Sequence, residues 1–434
     1  MIIKNTRQTI SLFVSSLLLS TSLSAHAEFE VSGYVGGEAR YYPSEGLYPE
    51  QEQKQLSANV EPEFAWTNEA GNHTIVFKPY YRYDAQDSER THGDIRELSW
   101  LTFGDTWEVK AGINKVFWGV TESVHLVDVI NQTDFVESAD GEDKLGQPMV
   151  QFTYTSDEWG ILETYLLPYF RERTFSGVDG RYRTAIELNT DDAVYESKDE
   201  EKHIDYAIRW SSSYEYFDVG LSWFQGTNRN PIFIVDTIAT GPTGQPVINP
   251  ETGPIPTSLV PYYSQVGQAG LDLQATVDAW LLKLEAAHVM LDKEIKVGAG
   301  ETASTIELDS YTAAVTGFEY TFTGPFDTAW DLGVLAEYQY NSEGKDSNSP
   351  AQNDVFTGAR FAFNDMASTE LLVGASKDLD FDNTYSGLIE LSTRLGDSVR
   401  FTVDAFLFES GDEQNFAHGF RRDGYVQANV EYYY

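Results

Sequence analysis

The chain has 434 residues, of which 29 are basic and 68 acidic, and its formal net charge is −39. Such a charge repels nucleic acid, so no nucleic-acid partner is expected. Because the chain has no cysteine, disulfides, thiolate metal ligands and thiol nucleophiles are excluded.

The first 27 residues have the features of a cleavable export signal. Lys4 and Arg7 precede a short apolar segment from Ile10 to Leu19, and Ala25-His26-Ala27 is a small-x-small cleavage site. An N-terminal anchor helix is the alternative, but the apolar segment is short for a membrane span. We therefore predict a signal peptide over residues 1–27 and one mature domain over residues 28–434.

The mature chain alternates apolar and polar residues in many short segments. From Leu56 to Trp66, one parity is largely apolar and the other carries Ser57, Asn59, Glu61 and Glu63. This period of two, with 14% aromatic residues and a mean hydropathy of only −0.36, is typical of a transmembrane β-barrel. The alternating segments begin near residues 29, 55, 73, 94, 106, 149, 161, 203, 217, 265, 279, 310, 328, 353, 368, 385, 399 and 424.

The fold class predicted is therefore all-β, a transmembrane antiparallel barrel of about 18 strands, with 16 strands as the alternative. The connections alternate between long and short, as a barrel with long outer loops and short periplasmic turns requires. The fourth, tenth and eleventh segments are the least regular, and Ala275–Ile295 can also be interpreted as an amphipathic helix. Aromatic residues are predicted at the periplasmic strand ends, where rings favour the membrane interface: Trp66, Phe103, Trp107, Trp159, Trp280, Phe322, Trp330 and Phe363.

The third long loop, residues 118–148, carries more apolar residues than a solvated loop needs, and it is also strongly acidic. We predict that it folds into the lumen, with a helical turn at 122–132, and narrows the pore by packing on the inner wall. The predicted constriction residues are Trp118, Glu122, Asp128, Asn131, Asp134, Glu137 and Asp140.

The polar parities of the strands are predicted to line the lumen and to face water. The predicted pore-lining wall residues are Arg40, Lys78, Arg82, Lys110, Arg171, Arg209, Glu61, Glu63 and Glu108, with further acidic candidates at Glu285, Glu337, Glu390 and Asp404. Unpaired charge is costly in a packed interior, so a water-filled lumen is the simplest explanation. The alternative is a closed barrel in which these charges pair around the inserted loop.

The last strand, Tyr425 to Tyr434, is amphipathic and ends in an aromatic residue. It resembles the signal that the barrel-assembly machinery reads in outer-membrane proteins, although Tyr stands where Phe is usual. With the third loop and the acidic lumen, it also resembles general porins. Val116-Phe-Trp-Gly119 followed by Asp128-Val-Ile-Asn131-x-x-Asp134 resembles a poorly characterised family of proteobacterial outer-membrane barrels, which implies location and fold but no substrate.

These features predict an outer-membrane porin for passive diffusion of small hydrophilic solutes. The acidic loop predicts a modest cation preference. The alternative is a dedicated uptake channel for an organic or hydrophobic solute, since Pro62, Pro79 and Pro168 fall in strands and can kink the wall, although strand-end prolines are the simpler explanation. A barrel enzyme is less expected, because the sequence has no Gly-x-Ser-x-Gly motif and no paired histidine ligands.

No cofactor or metal site is expected. Asp378-x-Asp380-x-Asp382 begins like a calcium loop, but Asn383 and Ile389 replace the required Gly and Glu. The expected partners are outer-membrane lipid and lipopolysaccharide, the assembly machinery and small solutes, and a homotrimer is one expected assembly state.

Overall fold

The computed structural model describes residues 27–434 except 139, 243–244, 250–252, 298–303, 348 and 350–351. Apart from Ala27, the predicted signal peptide lies outside the described residues. No helix in the described part of the chain is long and apolar enough to cross a bilayer.

Eighteen strands form a single large sheet. The first nine are β1 (Glu28–Tyr41), β2 (Lys54–Thr67), β3 (His73–Asp84), β4 (His92–Phe103), β5 (Trp107–Asn114), β6 (Gln147–Ser156), β7 (Gly160–Leu167), β8 (Asp205–Tyr214) and β9 (Phe217–Thr227). The others are β10 (Gln265–Val277), β11 (Trp280–Met290), β12 (Tyr311–Thr323), β13 (Asp331–Asn341), β14 (Asn353–Ala362), β15 (Glu370–Asp378), β16 (Thr384–Leu395), β17 (Val399–Ser410) and β18 (Tyr425–Tyr433).

Each strand pairs antiparallel with the next, and the sheet closes on itself. β1 pairs with β18 over the register Tyr34↔Tyr433 to Tyr41↔Val426. The prediction of an 18-stranded barrel is therefore confirmed, and the alternative of 16 strands is wrong. The helix alternative for Ala275–Ile295 is also wrong, because this segment is a hairpin of β10 and β11 that turns at Asp278, whose φ is 55°.

The alternation of residues separates the two faces of the wall. Outward-facing apolar side chains such as Val31, Leu56 and Leu282 are exposed, whereas inward-facing charged residues such as Arg82 and Asp272 are buried. An apolar outer surface around a polar interior is the reverse of a water-soluble protein. It matches a wall between hydrocarbon and water.

Long loops meet at one end of the barrel, the loop end, and short turns at the other, the turn end. Five of the loops are used below: L1 (42–53), L2 (85–91), L3 (115–146), L4 (168–204) and L9 (411–424). All eight predicted interface aromatics lie at the turn end, next to strand termini.

Loop L4 and the loop after β9 are joined at the loop end by a small accessory sheet. Ile232–Ile238 pairs antiparallel with Pro256–Tyr263. The latter pairs in parallel with Glu187–Leu188 and Val194–Tyr195 of L4. Long loops that share a sheet have fewer free backbone groups, so this part of the rim is a built structure and not a set of independent loops.

Two of the strand prolines interrupt the wall. The β2–β3 ladder has no paired residues between Val60↔Tyr81 and Phe64↔Phe77, and in this register Pro62 and Pro79 stand opposite each other. Neither proline can donate a ladder hydrogen bond, which explains the break. The strand-end interpretation is therefore wrong for these two residues, whereas Pro168 does follow the end of β7.

Candidate functional site: the acidic passage between L3 and the wall

Loop L3 folds into the lumen as predicted, and it does so in two lobes. The first lobe, residues 116–130, lies against the wall from β6 to β14, and the second, residues 133–144, lies against β1 to β4. The second lobe is closed by a bridge between Thr133 and Lys144.

Apolar packing holds the first lobe on the wall. Trp118, Val127 and Ile130 pack with buried residues of β6 to β9, and the Trp118 ring meets the Tyr165 ring edge-on at 5.5 Å. Burial of each apolar side chain of this size stabilises the folded state by about 1.5–3 kcal/mol. This explains why so many apolar residues occur in a loop.

Two wall carboxylates fix the backbone of the same lobe. Glu285, whose exposed fraction is 0%, accepts hydrogen bonds on Oε1 from Val120 N at 2.7 Å and from Thr121 N at 3.0 Å. Its Oε2 accepts from Leu126 N at 2.7 Å. Glu337 accepts from the N–H groups of Glu122 and Ser123, each at 2.8 Å.

These carboxylates also explain why the helical turn predicted at 122–132 is wrong. The segment consists of turns and bends. Its N–H groups donate to wall carboxylates instead of to carbonyls four residues earlier. A charged acceptor forms stronger hydrogen bonds than a neutral carbonyl, so the backbone path with turns and bends is favoured over a helix.

Asn131 ties the two ends of L3 together. Its Oδ1 accepts from Val116 N at 2.8 Å, and its Nδ2 donates to the carbonyls of Asn114 at 2.9 Å and Leu145 at 2.8 Å. Gly119 has a φ of 151°, and a side chain there would meet His125. The Trp-Gly and Asp-Val-Ile-Asn residues of the sequence motif thus make the contacts that fix the conformation of the loop.

The second lobe is held by a buried network of five arginines and five carboxylates. Arg82 contacts Glu137 at 2.7 Å, and Arg96 contacts Asp134 at 2.7 Å. The charged residues are Arg40, Arg82, Arg90, Arg96 and Arg171 with Glu38, Asp84, Asp94, Asp134 and Glu137, and His92 also contacts Asp134 and Glu137. The bases and acids balance, so this network contributes little net charge to the lumen.

One group of side chains in this network has the composition of a metal site. Ligand atoms of His92, Asp134 and Glu137 lie within 4.8 Å of one another. However, Arg82 contacts Glu137 and Arg96 contacts Asp134. Because a guanidinium is permanently charged and repels a metal cation, we interpret the group as part of the ion-pair network.

Between the second lobe and the wall lies a cavity of about 330 Å³, which we call the passage. It is lined by Tyr34, Glu38, Arg40, Asn59, Glu61, Tyr80, Arg82, Arg96, Lys115, Glu137, Ser138, Asp140, Asp143, Glu390, Asp404, Phe406, Tyr425, Gln427, Asn429 and Glu431. β1 to β4 and β16 to β18 supply its wall residues, and L3 supplies the facing side.

The charges left over in the passage are acidic. Within the described residues, six of its carboxylates form no ion pair: Glu61, Asp140, Asp143, Glu390, Asp404 and Glu431. Lys115 is the one lining base that forms none in the same part of the chain. The passage therefore has an excess of negative charge, which attracts cations.

The pKa values of His125 and Asp143 in L3 bear on the charge and the shape of the passage. Burial opposes the charge of His125, but the carboxylates of Glu142 and Glu285 outweigh it and raise the pKa of His125 to about 10. Its cation therefore joins the two lobes at neutral pH, with Nε2 at 3.2 Å from Glu142 Oε1. Burial and the carboxylates of Glu137 and Asp140 raise the pKa of Asp143 to about 6.

The structure places the predicted constriction residues in three groups. Trp118, Asp128, Asn131 and Asp134 are buried inside L3 or between L3 and the wall. Glu122 pairs with Arg360 at 2.6 Å. Glu137 and Asp140 line the passage.

The predicted wall residues are also divided. Arg40, Arg82 and Glu61 line the passage. Three bases pair on the inner wall: Lys78 with Glu63 at 2.9 Å, Lys110 with Glu97 at 2.8 Å, and Arg209 with Asp272. Glu108 does not line the passage, and Arg171 lies in L4 instead of in a strand, so its placement on the wall is wrong.

Sequence reasoning missed Arg90, Arg96 and Lys115. Arg90 lies in L2, where no strand pattern marks it, and Lys115 follows the last residue of β5. Arg96 lies at a β-bulge, because Lys78 pairs with Glu97 and Pro79 pairs with Ile95. The extra residue reverses the parity of β4, so the alternation of the sequence does not mark Arg96 as an inward-facing residue. The same reversal explains why this segment is irregular.

No family model and no curated protein matches the chain. Among solved structures, a mutant of the Rhodopseudomonas blastica porin is 12% identical with a TM-score of 0.42, and a triple mutant of the same porin is 13% identical with a TM-score of 0.40. Each match covers 94% of this chain and 100% of the porin chain. Because these identities and TM-scores are low, the description of the fold depends on the chain's own strand pairings and not on these matches.

Glu137→Ala is expected to lower the free energy of unfolding by about 3–5 kcal/mol, because it leaves Arg82 buried without one of its counter-charges. Denaturant unfolding in lipid vesicles, followed by tryptophan fluorescence, measures the change. Lys202→Ala, which removes an exposed ion pair with Glu201 in L4, is the control and is expected to change less than about 1 kcal/mol. Equal midpoints for the two variants would contradict this account of the network.

Proposed function

We propose that this chain is an outer-membrane porin that lets small hydrophilic solutes diffuse passively and prefers cations. The observation that carries the proposal is the passage, a charged cavity inside a closed barrel whose outer face is apolar. With the usual orientation of such barrels, the loop end faces the outside of the cell and the turn end faces the periplasm.

Swelling of proteoliposomes in uncharged sugars of increasing size tests the porin function. A passage of this volume is expected to admit small sugars and to exclude larger oligosaccharides, so the swelling rate should fall steeply with solute mass. Equal rates for protein-containing and empty liposomes would contradict a diffusion pore.

The cation preference is proposed to depend on pH. Because the pKa of Asp143 is raised to about 6, its carboxylate is ionised above that pH and neutral below it. We expect the cation-to-anion permeability ratio to fall as the pH is lowered from 8 to 5. In Asp143→Asn this fall should be smaller, and a wild-type ratio that stays constant over this range would contradict the assignment.

A dedicated uptake channel for an organic or hydrophobic solute remains the second candidate. It is favoured by the interrupted ladder at Pro62 and Pro79, which weakens the wall beside the passage at Glu61 and Tyr80. Saturable block of conductance by one solute class would favour this candidate over general diffusion.

The remaining partners are proposed from the sequence. Outer-membrane lipid and lipopolysaccharide would contact the apolar wall and the acidic rim. The assembly machinery would recognise the strand ending at Tyr434, and the homotrimer is proposed as the state in the membrane.

A further inference from the structure

The L4 segment 171–182, here called the strap, crosses the loop end of the barrel. L4 leaves the wall at β7 and L9 is attached at β18, and six strands, β1 to β6, stand between them in the closed sheet. On its way the strap binds L3, where Thr174 Oγ1 donates to Asp134 Oδ1 at 2.9 Å. It also binds L1, where Gln51 Nε2 donates to the Gly180 carbonyl at 3.0 Å.

The far end of the strap is fixed at one acid of L9. Arg181 Nε lies 2.8 Å from Asp423 Oδ1, and both side chains are almost completely buried. Tyr182 N donates to Asp423 Oδ2 at 3.1 Å, and the Tyr182 hydroxyl donates to the Asp423 carbonyl at 2.7 Å. Asp423 is therefore the common partner of both residues.

The Tyr182 ring completes a group of aromatic residues at the loop end of the passage, the aromatic plug. The plug consists of Tyr42, Phe135, Tyr182, Phe406, Phe408, Phe420 and Tyr425. Phe406 and Tyr425 also line the passage, and they are the last pair of the β17–β18 ladder toward the loop end. The plug thus stands between the passage and the outside.

The strap is held in an unfavourable backbone conformation at the point where it meets the plug. Tyr182 has a φ of 62°, in the left-handed region that bulky residues rarely adopt. Such a conformation persists only where the surrounding contacts enforce it. If those contacts were lost, the segment would relax and the ring would leave the plug.

We propose that Arg181 and Asp423 form a latch that holds the strap and the aromatic plug in place at the loop end of the passage, where they narrow it. This inference rests on the proposed porin function. According to this proposal the plug limits the conductance of the wild-type channel, and release of the strap widens the opening of the passage to the outside. The latch is thus a built-in gate, separate from the narrowing by L3.

Because the chain has no cysteine, a cysteine pair gives a clean test. The double variant Arg181→Cys with Asp423→Cys lacks the ion pair, and a short bis-thiosulfonate linker can restore the connection reversibly. In planar bilayers we expect the unlinked variant to conduct at least about twofold more than wild type. Linking should return the conductance to the wild-type level or below, and a reducing agent should raise it again.

Two further variants separate the latch from a folding defect. The charge exchange Arg181→Asp with Asp423→Arg should conduct like wild type, whereas Arg181→Asp alone should conduct more. Lys202→Ala, in the same loop, is the matched control and should conduct like wild type. If linked, unlinked and wild-type proteins all conduct equally, the latch is overturned but the porin function is retained; if none conducts, both are overturned.

Discussion

Glu285→Ala is expected to raise single-channel conductance about two- to threefold and to increase the current noise. Glu285 accepts three hydrogen bonds on Oε1 and two on Oε2, all from residues of L3. Without it these donors lose the acceptor that they share, and each unmet buried donor costs about 1–3 kcal/mol. The first lobe should then detach from the wall, and the narrowing that it imposes should become variable.

The comparison that isolates this effect uses Glu285→Gln and Glu307→Ala. The amide keeps one acceptor oxygen, so its conductance should lie between those of wild type and the alanine variant. Glu307 is an exposed acid in the short hairpin strand Ser304–Leu308, and its removal should have no effect. If Glu285→Ala has the conductance and the low current noise of the wild type, packing by Trp118 and Ile130 is sufficient to hold the first lobe on the wall.

The triple variant Asp143→Asn, Glu390→Gln, Asp404→Asn is expected to lose about half or more of the cation preference at pH 7.5, with a permeability ratio that stays above one. These three carboxylates are among those without ion pairs in the described lining of the passage. The arginines beside them are already neutralised by their own partners. The variant leaves Glu61, Asp140 and Glu431 against Lys115, so the excess of negative charge in the passage should be much smaller but not zero.

Replacing Glu390 and Asp404 with lysine should go further and bring the permeability ratio close to one. Glu108→Gln is the control, because Glu108 does not line the passage. Its reversal potential should equal that of the wild type. If the control shifts as much as the triple variant, selectivity arises from the overall charge of the lumen and not from the passage.

Much of the fold could be predicted because the two faces of a strand meet different solvents. The period of two, the alternating loop lengths and the interface aromatics all follow from that constraint, and each wall strand begins within a few residues of its predicted start. The pattern is weak in β10 and β11 because Val266 and Val289 face inward beneath the Lys293–Val297 hairpin strand and its partner. There the inner face is apolar too.

The site was less predictable because pairing depends on tertiary position. That Asp134 and Glu137 belong to an acidic lumen loop could be read from the sequence, but not that each contacts an arginine. Their charge is therefore neutralised, and the free charge of the passage lies on wall acids such as Glu390 and Asp404 and on two other L3 acids, Asp140 and Asp143. The resemblance to a family with the Trp-Gly and Asp-Val-Ile-Asn motif stays a prediction, since no family model matches.

The most direct test is the reversal potential of the purified wild-type protein in a planar bilayer, with an about tenfold KCl gradient at pH 7.5. The passage keeps free carboxylates on the wall and on L3, while Asp134 and Glu137 are paired with arginines. This arrangement requires ohmic channels whose reversal potential has the sign of potassium selectivity. Chloride selectivity, or a membrane that stays silent at every protein concentration, would contradict that arrangement.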